Sequence, residues 1–304
     1  MINKLLSGYF SILKGEERAK FLRADIDSLI KETEKMMRSC ELCERRCGVN
    51  RIKGERGYCG VELKHPREML VSSEFLHYGE EYFFVPSHTI FFMGCNFRCV
   101  YCQNWPISQW YESYERITPK AMAKLIARRH REGAKNVNFV GGEPTPYLLG
   151  ILETLEELKK MGVNTPVIWN SNFYLTEKTM KILNEVIDVF LPDFKYGNDE
   201  CARRLSSVEN YFGTVTRNLK MAEGEIVVRH LVLPGHVECC TLPVLEWLAK
   251  HVKERVIVNI MDQYTPHYMV LNTAEYSELA RGVTREEFDN VVNKARELGL
   301  CIIT

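Results

Sequence analysis

Cys95-Asn-Phe-Arg-Cys99-Val-Tyr-Cys102 follows Thr89-Ile-Phe-Phe-Met93, with only Gly94 between them. The apolar run is β-branched and aromatic and stops at a glycine, which predicts a buried strand, Thr89–Met93, opening into a loop. That loop carries three thiols in a C-x3-C-x2-C spacing. Three nearby thiolates can hold three irons of a cubane cluster and leave the fourth iron without a protein ligand, whereas such clusters are ordinarily tied down by four cysteines. An open position of this kind separates a catalytic metal from a structural one. A zinc site, or a structural cluster whose fourth cysteine lies elsewhere, fits the same spacing.

Toward the C-terminus the pattern alternates strand and helix. Strands are expected at Asn136–Val140, Pro166–Asn170, Val186–Leu191, Ile226–Leu233 and Arg255–Met261, and the apolar end Leu300-Cys-Ile-Ile303 is a candidate seventh. Thr118-Pro119 and Thr176 read as helix starts, Gly133 and Gly162 as helix stops, and Thr284-Arg-Glu-Glu287 as a capping box. Alternating units with apolar strands imply an α/β fold with a parallel sheet covered by helices. Six or seven units suit an open or partial (β/α)6-type barrel better than a closed eightfold one, with its chemistry in loops at the C-terminal ends of the strands.

On the N-terminal side, residues 1–39 are helix-like, with Phe21, Leu22, Ile26, Leu29 and Ile30 near one face. Cys40-Glu-Leu-Cys43, Cys47 and Cys59 follow, four thiols within twenty residues and flanked by glycines. They can close a tetrahedral zinc site or hold an auxiliary iron–sulfur cluster. Residues 61–88 mix β-type stretches, Glu68–Phe75 and Tyr82–Val85, with the turn-like His77-Tyr-Gly79-Glu80-Glu81. The expected organisation is a helical segment (1–39), a Cys-rich metal-binding extension (40–88) and the partial barrel (89–304).

Forty basic residues balance forty acidic ones, so no global field argues for nucleic acid or a membrane surface as partner. No apolar run approaches bilayer length, and the first residues lack a cleavage-site pattern. Eleven cysteines without an export signal point to metal binding or catalysis in a reducing compartment, the cytoplasm by default.

Each strand is followed by residues that suit a polar ligand. Gly141-Gly142-Glu143-Pro144 offers backbone groups that can approach closely and acceptors for an ammonium group. Asn170 and Ser171 can hydrogen-bond a ribose or carboxylate, or form a local turn. Asp193 and Lys195 alternate at a strand end and point the same way. Arg229 breaks an apolar run and needs a carboxylate partner, from a ligand or from a neighbouring side chain; His230 must face the other way. Asp262, Gln263 and Tyr264 are the last candidates. Cys201, Cys239, Cys240 and Cys301 show no metal-ligand spacing among themselves and are expected as small buried residues.

The three-cysteine loop and Gly141-Gly-Glu-Pro144, in order and each after a strand, resemble the signature of the radical S-adenosylmethionine (SAM) enzymes over roughly residues 87–265. That resemblance implies a [4Fe-4S] cluster on Cys95, Cys99 and Cys102. The amino and carboxylate groups of SAM would bind its unique iron, and an electron would cleave the sulfonium to a 5′-deoxyadenosyl radical that abstracts hydrogen. It places Tyr101 near the adenine and Gly141 to Pro144 at the methionine end. Phe190-Leu-Pro-Asp193-Phe-Lys195 looks like the Asp-x-Lys segment of glycyl-radical-enzyme activating proteins, and the stretch from Arg229 to Gly235 is similar to their Arg-x-Val-x-Pro-Gly. Within the superfamily the chain looks most like homologues of the pyruvate formate-lyase activating enzyme. The best-known activator lacks the segment with Cys40, Cys43, Cys47 and Cys59. The implied partners are an external electron donor such as flavodoxin or ferredoxin, and a substrate that is a protein or a small molecule. A non-catalytic iron–sulfur electron carrier is the remaining class.

Overall fold

The computed structural model describes residues 1–61, 65, 67–79, 81–109 and 116–304. Its strands are β1 (Met69–Leu76), β2 (Ser87–Phe92), β3 (Arg116–Ile117), β4 (Asn136–Gly141), β5 (Val167–Ser171), β6 (Val189–Pro192), β7 (Glu225–Leu231), β8 (Val256–Met261) and β9 (Cys301–Ile303). They form one sheet in the order β3-β1-β2-β4-β5-β6-β7-β8-β9. From β2 to β9 every neighbouring pair is parallel, and β1 runs antiparallel to both β2 and β3. The expected seven parallel strands are all present, and the sheet stays open as a partial barrel.

The helix signals also hold. Thr118 and Thr176 accept hydrogen bonds from Ala121 N and Thr179 N at the starts of Pro119–Arg131 and Glu177–Val186. Thr284 and Glu287 form the reciprocal capping box of Arg285–Glu297. Gly133 and Gly162 take positive φ just past helix ends. β6 starts later than expected because the preceding helix runs on to Val186.

Strand alternation decides what lies inside the barrel. Ile168, Val189, Leu191, Val227 and Ile257 belong to one apolar cluster, whereas Val167, Trp169, Phe190, Val228 and Val258 belong to the larger core beneath the helices. The inner cluster is closed off by Leu6, Tyr9, Phe83 and Phe84. Tyr82–Val85, expected as β-type, is therefore not a strand; Phe83 and Phe84 fill the barrel from a turn, while Tyr82 is exposed. Residues 1–39 divide into the helices Ile2–Leu5, Ser7–Leu13 and Ile26–Met37 with a short turn at Lys20–Leu22. The first two of these plug the barrel, where Asn136 Nδ2 donates to Tyr9 Oη at 2.9 Å. Phe21, Leu22 and Ile26 are buried outside it, with Leu29 and Ile30 packed alongside. Among the described residues no helix is long and apolar enough to cross a membrane.

Candidate active site

Above the apolar layer the same inward positions turn polar. Asn170 lies two residues after Ile168, Arg229 two after Val227, and Asp193 two after Leu191. They face an open cleft at the C-terminal ends of the strands, where α/β barrels place their ligands. Its walls include Cys95, Cys99, Tyr101, Cys102, Gly141, Gly142, Asn170, Ser171, Asp193, Lys195, Arg229 and Gln263. Residues from six strand ends, β2 and β4 to β8, thus meet in one place.

The cysteine loop is held by its neighbours. Gly94, at φ 78°, turns the chain out of β2, and its N–H donates to Ile107 O at 2.8 Å. Each thiol has a polar contact: Phe97 N donates to Cys95 Sγ (3.3 Å), Ser206 Oγ donates to Cys99 Sγ (2.9 Å), and Ser108 Oγ lies 3.2 Å from Cys102 Sγ. Burial pushes all three thiols up, Cys99 to about 11. A bound cation reverses that preference. Tyr101 Oη pairs with Tyr196 Oη at 2.7 Å, and Tyr196 Oη with Ser206 Oγ at 2.5 Å, so a chain of hydroxyls leads from the cleft to Cys99.

Across the cleft, Lys195 Nζ donates to Asp193 Oδ2 at 2.8 Å, and Arg229 lies 3.9 Å from Asp193 Oδ1. Burial opposes the charge on Asp193, but the two cations hold its carboxyl below the usual range. Arg229 also sits 3.3 Å from Glu81, which accepts from Asn259 Nδ2 at 2.6 Å. The charge that breaks the β7 run is thus met by two carboxylates of this chain, and Glu81 is a partner that sequence spacing did not identify. Glu80 lies outside the described residues, and His77 is exposed. His230 faces away from the cleft, with Nδ1 2.6 Å from Phe194 O and Nε2 2.9 Å from Thr241 Oγ1.

Gly141 and Gly142 line the cleft and also pack closely against their own chain. A Cβ on Gly141 would come within 2.2 Å of Phe92 N, and one on Gly142 within 2.1 Å of Gly94 O. On that side the two glycines pack against the backbone of β2 and of Gly94. Glu143 and Pro144 do not line the cleft. Glu143 is fully buried and accepts from Thr145 Oγ1 (2.5 Å) and Asn172 N (3.1 Å), which ties the loop after β4 to the loop after β5; burial pushes its carboxyl up to about 7. Asp262 is exposed, and Tyr264 is buried with its hydroxyl donating to Leu279 O. Asn172, the end of the Asn170-Ser-Asn172 stretch, also lines the cleft, and Ser108 and Gln109 are cleft residues not singled out from sequence.

The family model described as the radical SAM superfamily matches residues 89–248. A 287-residue match at 45% identity to an uncharacterized protein of Methanocaldococcus jannaschii covers 91% of this chain and 80% of that protein. The chain belongs to the radical SAM superfamily. Pyruvate formate-lyase 1-activating enzyme of Escherichia coli is a more distant relative, 28% identical over 48% of this chain and 60% of its own length. Among solved structures, Streptococcus suis SuiB bound to S-adenosylmethionine aligns with a TM-score of 0.51 at 13% identity, over 69% of this chain and 47% of that one; the likeness is one of fold. Radical SAM enzymes use a [4Fe-4S] cluster and SAM.

The second cysteine group is adjacent. Cys40, Cys43, Cys47 and Cys59 line a pocket together with Arg51, Thr145 and Pro146. Arg51 is buried, and its guanidinium donates to Cys40 Sγ at 3.0 Å and to Cys59 Sγ at 2.7 Å. A hydrogen bond with Cys47 and burial push the Cys40 thiol up, and the Arg51 cation opposes them. The segment is clamped to the radical SAM loop by Arg45, which donates to Asn96 O and Ser207 O and lies over the Tyr58 ring. It also rests on the first turn of the helix after β5, where Thr179 Oγ1 donates to Leu42 O. Sequence reasoning left Cys201, Cys239 and Cys240 as separate small residues; in the folded chain these three converge with His236. The signal available was the His236-x2-Cys239 spacing.

Proposed function

We propose that this chain holds a [4Fe-4S] cluster through Cys95, Cys99 and Cys102 and cleaves SAM reductively in the cleft above the barrel. The observation that supports this most strongly is the pairing of walls: three thiols on one side, and Asp193, Lys195 and Arg229 on the inward positions opposite. The donor set fits the group, since three thiols leave a fourth position for a ligand. When bound, the cluster supplies one electron to the SAM sulfonium, and the resulting 5′-deoxyadenosyl radical takes hydrogen from the substrate. The chain's own residues orient and enclose that reaction. Arg229 is suited to the SAM carboxylate and Asp193 to the ammonium group, with Lys195 keeping Asp193 ionised. Asn170, Ser171 and Gln263 offer hydrogen bonds to the ribose side, and Tyr101 flanks the adenine. Gly141 and Gly142 let the rim pack tightly enough to present backbone groups. Glu143 and Pro144 position that rim.

The quartet Cys40, Cys43, Cys47 and Cys59 is best read as an auxiliary iron–sulfur site. Its thiols surround one pocket without converging on a single point, as a polynuclear cluster requires and a zinc ion does not. An external reductant such as flavodoxin or ferredoxin supplies the electron. Similarity to the activating enzyme favours a protein substrate, a glycyl-radical enzyme or another chain to be modified; a small-molecule substrate is the alternative. Free thiols throughout the chain suit a reducing compartment.

Anaerobically reconstituted, dithionite-reduced protein should convert SAM to 5′-deoxyadenosine and methionine. A fully assembled cluster that releases none of either, with every candidate substrate tried, would sink the reading. Deuterium appearing in 5′-deoxyadenosine from a labelled protein, and not from labelled small molecules, would identify the substrate class.

A further inference from the structure

Cys201, His236, Cys239 and Cys240 come from two separate elements. Cys201 is in the first turn of the helix Asp199–Ser206, which follows β6. The other three belong to the π-helical turn Val237–Thr241 and the residue before it, which follow β7. Their three sulfurs and one ring nitrogen all lie within 4.8 Å of one another, and no other group of three or more Cys, His, Asp or Glu does so among the described residues. We propose that these four residues form a tetrahedral zinc site. The inference does not depend on SAM chemistry.

The distances are those a single ion imposes. Zinc–sulfur bonds of about 2.3 Å and zinc–nitrogen bonds of about 2.0 Å put tetrahedral ligands about 3.8 Å (S to S) and about 3.5 Å (S to N) apart. Cys201 Sγ and Cys239 Sγ are 3.7 Å apart, and Cys239 Sγ and Cys240 Sγ 3.8 Å. His236 Nδ1 lies 3.6 Å from Cys201 Sγ and 3.3 Å from Cys239 Sγ. A disulfide between Cys201 and Cys239 would use two of these groups and give no role to the buried Cys240 thiol or to His236 Nδ1. Consecutive residues on an ordinary helix diverge by about 100° at 3.6 residues per turn. The widened turn, in which both Cys240 N and Thr241 N donate to His236 O, brings Cys239 and Cys240 to one side; such turns recur at functional sites.

The surroundings are those of a metal centre. His236 Nε2 points to Glu278 Oε1 at 3.6 Å, the carboxylate–histidine pairing that orients a ligating imidazole. Asn198 Nδ2 reaches Cys201 Sγ at 3.5 Å and donates to Cys239 O at 2.7 Å. Gly197 is needed for this approach, because a Cβ there would meet Cys240 O at 2.7 Å. The consequence for the active site is direct. The helix that begins beside Cys201 ends at Ser206, which donates to Cys99 Sγ and whose carbonyl accepts from Arg98 N. The ion would staple the loops after β6 and β7 and so fix the helix that backs the radical SAM cysteines.

The test is the metal content of the whole, anaerobically purified protein, with the zinc-edge X-ray absorption spectrum of the wild type. The expected result is one zinc per chain with a shell of three sulfurs and one nitrogen. That zinc should persist in Cys40→Ala and Cys99→Ala and be lost in Cys239→Ser and His236→Gln, while iron at the other cysteines stays. Absence of zinc after exposure to zinc salt would overturn the proposal. So would zinc that follows Cys40 instead of Cys239, or a Cys201–Cys239 disulfide in protein kept reduced. Should Cys239→Ser fail to fold, the wild-type spectrum still decides, because a shell of any other composition is incompatible with these four ligands.

Discussion

At the N-terminal end of the barrel the inward positions of β5, β6, β7 and β8 are Ile168, Val189, Val227 and Ile257, sealed by Leu6, Tyr9, Phe83 and Phe84. Two residues further along β5, β7 and β8 the inward positions are Asn170, Arg229 and Asn259, and beyond the end of β6 comes Asp193. One end is dry and closed; the other carries paired charges and thiols around an open cleft. A strand period of two makes this economical, because one face of one strand supplies both floor and site. The charges above need the floor below, since an apolar layer packed at crystal-like density holds side chains in fixed rotamers. Damage at the two ends should therefore look different.

The sharpest contrast is between Cys99 and Tyr9. Cys99→Ala should abolish 5′-deoxyadenosine formation and remove one cluster's iron, while the unfolding free energy of the cluster-free protein, from urea titration, falls by about 1 kcal/mol or less, as for a small volume change. Tyr9→Ala should do the reverse. Loss of the ring and of the hydrogen bond from Asn136 should cost about 3–5 kcal/mol, with SAM cleavage per folded molecule unchanged. If Tyr9→Ala lowers cleavage in protein that remains fully folded, the floor is part of the site and the comparison fails.

The closed end should also carry its own pH dependence. Asp188 accepts from Lys20 N (2.9 Å) and Val167 N (2.8 Å), and burial pushes its carboxyl up from 3.8 to about 6. Between those values the folded chain keeps a proton that the unfolded chain has lost. Its contribution is fully present below the lower value and is lost as pH rises through the upper one, by about 3 kcal/mol in all at about 1.4 kcal/mol per unit. Glu225, which accepts from Gly8 N and Tyr9 N and is raised to about 7 by burial, acts in the same direction. Asp188→Asn should flatten the fall in stability between pH 4 and 6, as read from urea midpoints at a series of pH values. A parallel curve for mutant and wild type would show that Asp188 stays ionised when buried.

The open end was the more legible in sequence, and the reason is physical. Strand type, parallel order and the residues after each strand follow from local periodicity and from short motifs that must sit at a strand end. The floor depends on where an amphipathic helix docks, and the apolar face of Ser7–Leu13 does not say which groove it fills. Phe83 and Phe84 read as β-type because aromatic residues favour any half-buried surface, not strands as such. Glu81 sits in a polar cluster whose target, Arg229, is far away in the chain. Gly141 and Gly142 were visible as sites of close approach; their packing against β2 and Gly94 was not. The group around Cys201 and Cys239 joins two loops from different βα units, a distance that ligand spacing cannot bridge.

The smallest expected effect falls on a residue that belongs to neither end alone. Ser206 closes the helix after β6, donates to Cys99 Sγ at 2.9 Å and receives the hydroxyl chain from Tyr196 and Tyr101. Hydrogen bonds to cluster sulfurs stabilise the more negative, reduced state and raise the potential. Ser206→Ala deletes one such bond, worth about 1 kcal/mol net, so the cluster on Cys99 should become harder to reduce and SAM cleavage should slow by a few fold at fixed reductant. A redox titration followed by electron paramagnetic resonance would read the shift directly. If the potential is unchanged while stability falls, the hydroxyl serves the fold alone, and the polar end reaches no further than the cleft wall.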